Sequence, residues 1–144
     1  MRWIALFAVP ALVAASPMAR EDGPAQATQL IEYYYAAIDR GDFRTAYAMW
    51  DNDGRASGKS FAAFRAGFAS TARSRVVTGR PGREDAGMSQ RWIEVPVDVY
   101  ATLKNGKRQH FRGKYTLHRL AAGVSTRAAD THWRIKSARL VAVR

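Results

Sequence analysis

Proton-transfer chemistry in this chain would fall to its carboxylates and three histidines, so their placement along the sequence matters first. A general base must come within hydrogen-bond reach of the proton it removes. Asp98 is the one aspartate inside a clear strand pattern, and Glu94 shares its face four residues earlier. Asp39, Asp42, Asp51, Asp53, Glu84, Asp85 and Asp130 all fall in caps or loops. His110 and His118 lie on one strand, roughly 27 Å apart at the rise of an extended chain, too far to share an ion. His132 could approach one of them from another strand, but two histidines without a nearby third ligand make a weak metal site. The chain has no cysteine, which excludes disulfides and thiolate metal centres. No glycine loop suited to phosphate and no Ser-His-Asp arrangement is present. No metal and no cofactor is therefore expected.

The elements that would position these groups can be read from periodicity. Pro24 opens a helix whose body is about residues 25–40, with Ala27, Leu30, Ile31, Tyr34 and Ile38 on one stripe. Tyr34 is central, Tyr35 lies at the edge and Tyr33 points away. Gly41 stops this helix. Asp42 caps a second, with Phe43, Ala46, Tyr47 and Trp50 on its stripe, ended by Asp51-Asn52-Asp53-Gly54. Ser57 or Ser60 caps a third, with Phe61, Phe64, Phe68 and Ala72 on one face. Residues 73–78 read as a short strand and residues 79–87 as a loop.

Residues 92–119 read as two long strands joined at Asn105-Gly106. Ile93, Val95, Val97, Val99, Ala101 and Leu103 alternate with polar positions and form the buried face. A two-residue turn would set Val99 opposite Arg112 and Val97 opposite Lys114, which puts charge on that face. A three-residue loop, Lys104-Asn105-Gly106, sets Val99 against Phe111, Val95 against Tyr115 and Ile93 against Leu117. Burial selects the register, so the longer loop is predicted, with Gly106 left-handed at a bulge. Asp98 then pairs with Arg112 on the outer face. Gly113 falls opposite Val97 on the inner face, where a missing side chain permits strong curvature or leaves room for a ligand. Pro96 predicts a bulge or an edge position, and a bulge would turn Asp98 inward. A last strand runs from His132 to Val143, with Trp133, Ile135 and Leu140 inward. The face of Arg139 is open, and it could reach the mouth of a cavity and select an anion.

Residues 1–19 read as an export signal. Arg2 provides the charge, residues 3–15 an apolar run, and cleavage is expected near 15/16 or 19/20. The run is too short to span a bilayer, which needs roughly 20 residues, so no transmembrane segment remains after cleavage. Residues 20–144 form one domain, placed in the periplasm or secreted. Lys and Arg number 23 against 12 Asp and Glu, a net charge of +11. The arginines look spread, from Arg65 to Arg139 and including Arg119, and no basic-aromatic alternation suits nucleic acid. Export turns the charge towards anionic lipid headgroups, envelope polymers or acidic proteins.

The tyrosine-rich first helix with its Asp39-Arg40-Gly41-Asp42 break, the aromatic second helix ending at Trp50 and the Ser60-Phe61-Ala62-Ala63-Phe64 helix belong together. With the long strands around Asn105-Gly106 and the final Trp133-Arg134-Ile135 strand, the chain resembles the nuclear-transport-factor-two-like superfamily, which includes ketosteroid-isomerase-like proteins. The resemblance covers about residues 25–143. It implies an α+β cone, three N-terminal helices packed on a strongly curved antiparallel sheet with a cavity between them. Isomerase members use a tyrosine on the first helix and aspartates on inner strand faces, so Tyr34 and Asp98 are the catalytic candidates it offers. The expected cavity lining is Tyr34, Tyr47, Trp50, Val97, Gly113, Tyr115 and Trp133. Three functions follow: a binding or accessory module for a small apolar or anionic ligand, an isomerase, cyclase or hydrolase, or a domain that forms a homodimer through Trp92, Tyr100, His110 and His118 on the outer sheet face.

Overall fold

The computed structural model describes residues 21–144, and the export segment expected at residues 1–19 lies outside them. Three helices precede a five-stranded antiparallel sheet: α1 (Pro24–Asp39), α2 (Phe43–Ala48), α3 (Phe61–Ala66), β1 (Thr71–Thr78), β2 (Asp85–Gly87), β3 (Gln90–Leu103), β4 (Arg108–Leu120) and β5 (Arg134–Ala142). The strand order is β1-β3-β4-β5, with β2 paired to the far end of β3. The fold class is α+β, as expected.

The caps fall where the sequence puts them. Pro24 begins α1, where its missing N–H costs nothing. Gly41 follows α1 at φ +78°. The Asp42 side chain accepts from the Thr45 amide at 3.2 Å, and Ser60 accepts from Ala63 at 3.2 Å. Two helices are shorter than their apolar stripes suggest. α2 ends at Ala48 because the next residues join the sheet edge. Met49 O accepts from the Ile135 amide at 2.9 Å, and Asp51 N donates to Ile135 O at 2.8 Å. α3 ends at Ala66, and Ala72, expected on its face, lies in β1. Residues 85–87, expected as loop, pair with residues 90–92.

The β3–β4 register is the expected one. Val99 faces Phe111, Val97 faces Gly113, Val95 faces Tyr115 and Ile93 faces Leu117. The loop has three residues: the Leu103 amide donates to Lys107 O at 2.8 Å, and Gly106 has φ +86°. Pro96 produces no bulge, and β3 is an interior strand. The Pro96 carbonyl accepts from Gly79 at 2.8 Å on the β1 side. Its nitrogen points the same way, to where β1 has just ended at Thr78. The missing N–H thus falls in a gap between β1 and β2, a local edge within a central strand. Asp98 therefore stays on the outer face.

The core joins Ile31, Tyr34, Tyr35 and Ile38 of α1 to Ile93, Val95, Val97 and Val99 of β3, with Tyr115, Leu117, Trp133 and Ile135 from the other side. Gly113 leaves no room for a ligand. A Cβ built there would lie 1.9 Å from the Arg139 carbonyl oxygen, so the β5 backbone fills the space. Arg139 itself pairs with Lys114 on the outer face, which removes it from the interior. Gly113→Ala is expected to cost about 3 kcal/mol through forced backbone displacement, read as a lower urea midpoint. A stability unchanged by alanine would mean open space at this position.

Candidate functional site

The aromatic side chains meet where α1 crosses the inner face of the sheet. Tyr34 lies edge-on to Tyr35 at 5.1 Å, Trp50 at 6.3 Å and Tyr115 at 6.0 Å. The hydroxyls of Tyr35 and Tyr115 share a hydrogen bond of 2.6 Å across 80 residues of sequence. Burial pushes the Tyr35 hydroxyl up to about 12, and it raises Tyr34 and Tyr115 as well. These phenols are donors at neutral pH, not bases. The Trp50 indole only partly offsets the shift at Tyr34. Its own N–H finds no hydrogen-bond partner of normal geometry among the described residues. An orphaned buried donor costs about 1–3 kcal/mol unless water or a ligand meets it.

Of the seven expected lining residues, Tyr34, Trp50, Val97, Tyr115 and Trp133 belong to this core, and Tyr47 packs half-buried against it. Tyr47 donates to Lys59 O at 2.7 Å, tying α2 to the turn before α3. Gly113 is occupied by the β5 backbone. Trp50 also borders a polar cleft of about 480 Å³ with Asp51, His118, His132 and Arg134.

Tyr34 and Asp98 are not brought together. Asp98 accepts from Arg112 Nε at 2.9 Å and bonds His110 Nε2 at 2.6 Å, on the side of the sheet away from α1. These partners, His110 first, hold its carboxyl below the ordinary range. Among the described residues no Asp or Glu is buried. The inner sheet face therefore carries aromatic rings and hydroxyls without a carboxylate base.

The three histidines are separately engaged. His110 stacks on Tyr100 at 4.4 Å. His118 lies against Trp92 at 4.3 Å and is held between Asp51, at 3.2 Å, and Gln90. His132 Nδ1 bonds Asp22 at 3.0 Å. No group of three metal-ligating side chains occurs among the described residues.

Arg119, read from sequence as one of the surface arginines, is 4% exposed. Its guanidinium lies 4.9 Å above the Trp133 ring and donates to Glu84 at 2.7 Å, with Glu21 at 3.6 Å. The signal was available in the alternation: Tyr115, Leu117 and Arg119 share the inner face. A buried charge needs partners, and two acids converge here from distant segments.

Either Tyr35→Phe or Tyr115→Phe is expected to cost about 1–2 kcal/mol, and the double variant less than the sum, since both delete one bond. The folded phenol values lie above the unfolded value of about 10. Their contribution is therefore complete below about pH 10 and is lost as pH rises towards 12. Urea midpoints should fall less across that window in the double variant than in the native chain. Strictly additive costs would mean that the two hydroxyls are not bonded.

No family model matches the sequence, and no curated protein matches it. Solved structures do. The Kfla4162 protein from Kribbella flavida is similar at a TM-score of 0.57 and 17% identity, over 83% of this chain and 90% of its own. A nuclear transport factor 2-like superfamily protein from Salmonella enterica serovar Typhimurium gives 0.57 at 15% identity, over 83% and 89%. Aln2 from a Streptomyces species gives 0.52 at 16% identity, over 84% and 93%. At such identities the likeness speaks for the backbone alone: this chain has the nuclear-transport-factor-2-like fold.

Proposed function

We propose that this chain is an exported, periplasmic or secreted, binding or accessory domain that performs no chemistry of its own. The ligand class is a small, flat, largely apolar molecule bearing a hydrogen-bond acceptor, taken into the cone between helices and sheet. The observation that carries this reading is the absence of any buried carboxylate among the described residues, beside the aromatic interior. Phenols raised by burial donate and cannot accept a proton from a substrate near neutral pH. The Trp50 N–H, near the Tyr34 hydroxyl but without a hydrogen bond of normal geometry, is a donor that an acceptor on the ligand would satisfy. Trp50 also borders the polar cleft.

The test is native mass spectrometry of gently purified secreted protein. A retained small molecule is expected. Trp50→Phe keeps an aromatic side chain but removes the indole N–H together with its five-membered ring, and it should weaken retention by at least about tenfold, the worth of one neutral hydrogen bond. Asp98→Asn should leave retention unchanged. Turnover of the retained molecule that Asp98→Asn abolishes would overturn the reading, as would protein that emerges empty and binds nothing from a periplasmic extract.

A further inference from the structure

Basic residues scattered along the sequence converge on one surface. Strand alternation puts Arg75 of β1, Arg108, Arg112 and Lys114 of β4, and Arg134 and Arg139 of β5 on the outer sheet face. The β-strand carboxylates on that face are Glu94, Asp98 and, at the far end on β2, Asp85, which pairs with Trp92. Glu94 and Asp98 are engaged, Glu94 with Lys114 at 2.7 Å and Asp98 with Arg112 and His110, while Asp85 lies exposed at the opposite end from Arg75 and Arg108. At one end Asp51 reaches over the face, held by His118 and by Lys136 at 3.8 Å. Arg75, Arg108, Arg134 and Arg139 then have no carboxylate at salt-bridge distance among the described residues. Arg75 lies over the Tyr100 ring at 4.7 Å, and Arg134 donates to the Ala48 carbonyl.

The same face exposes apolar groups. Val77, Asp98, Arg112 and Val141 form one row across four strands. Val77 is 47% exposed and Val141 63%. Tyr100 stands in the next row beside His110. Cations interspersed with exposed apolar side chains over neighbouring strands about 4.8 Å apart form a two-dimensional array, not a track. A linear polyanion is held by a groove along its backbone. A second copy of this chain is disfavoured, because a two-fold interface brings the same patch to itself and would set basic face against basic face.

We propose that the outer sheet face docks on an anionic lipid surface. Unpaired arginines meet the headgroup phosphates, and Val77, Val141 and Tyr100 enter the interfacial region. This surface is on the opposite side of the sheet from the aromatic interior, so it stands whether or not that interior holds a ligand.

The experiment is cosedimentation of the mature chain with vesicles of phosphatidylcholine, alone or mixed with phosphatidylglycerol. Binding is expected to the anionic vesicles and not to phosphatidylcholine alone, and to weaken steeply with added salt. Removing each cation should weaken partition about fivefold, as expected for about 1 kcal/mol per basic residue near such a surface. Arg75→Glu, Arg108→Glu and Arg139→Glu together should abolish it. Arg44→Glu, Lys59→Glu and Arg65→Glu, which change the net charge equally on the helical side, should retain most of it. Circular dichroism of both triples confirms that each is folded, and the salt dependence of the native chain stands independently of either. Equal loss in both triples would mean that net charge acts without a face. No binding to anionic vesicles, binding to an acidic peptide in their place, or a dimer that buries this face would each overturn the proposal.

Discussion

Everything in this molecule depends on the parity of the β3–β4 hairpin. Because side chains alternate along a strand, a slip of one residue exchanges the two faces completely. Lys104-Asn105-Gly106 closes the hairpin as a three-residue loop, with Gly106 in the left-handed conformation. That loop puts Ile93, Val95, Val97 and Val99 against Phe111, Tyr115 and Leu117. A two-residue turn would carry Arg112 and Lys114 into the core, at a desolvation cost of several kcal/mol for each charge. No gain in turn geometry offsets a penalty of that size.

The two faces then acquire opposite characters from one alternation. Inside, Tyr115 of β4 meets Tyr34 and Tyr35 of α1, and a phenol–phenol bond joins helix to sheet. Outside, Asp98 lies among His110 and Arg112, and the basic residues of β1, β4 and β5 align. The residue that breaks the pattern is Arg119. It takes an inner position at the end of β4, where Glu84 and Glu21 neutralise it and Trp133 underlies it. Asp22 and Gly23 fasten the adjoining segment to Trp133 through its backbone amide and indole nitrogen. The start of the described chain is thereby tied to the end of the sheet by polar contacts.

Much of this was legible in the sequence because burial and turn chemistry are local constraints. The caps at Asp42 and Ser60, the stop at Gly41 and the hairpin register all follow from residue type and period. Long-range effects were harder to read. α2 stops early because Met49 and Asp51 bond Ile135, a partner 84 residues or more away that no local propensity records. Pro96 sits in an interior strand because β1 ends beside it, which depends on pairing between separate segments. Gly113 was correctly seen as a missing side chain, but what fills the space is the backbone of a strand beyond a long connection. The gathering of arginines was hidden by reading them along the chain and not by face. The alternation Arg108, His110, Arg112, Lys114 contained it.

The direct test of hairpin parity is the set of cross-strand Hα–Hα nuclear Overhauser contacts in solution. Leu103 and Lys107 form a hydrogen-bonded pair next to the loop, so Asp98 and Arg112 fall in a non-hydrogen-bonded pair, where the α-protons approach most closely. A strong contact between the α-protons of Asp98 and Arg112, and another between Tyr100 and His110, is the predicted result. A strong contact between Val99 and Arg112 in their place would shift the register by one, reverse the two faces and contradict the account.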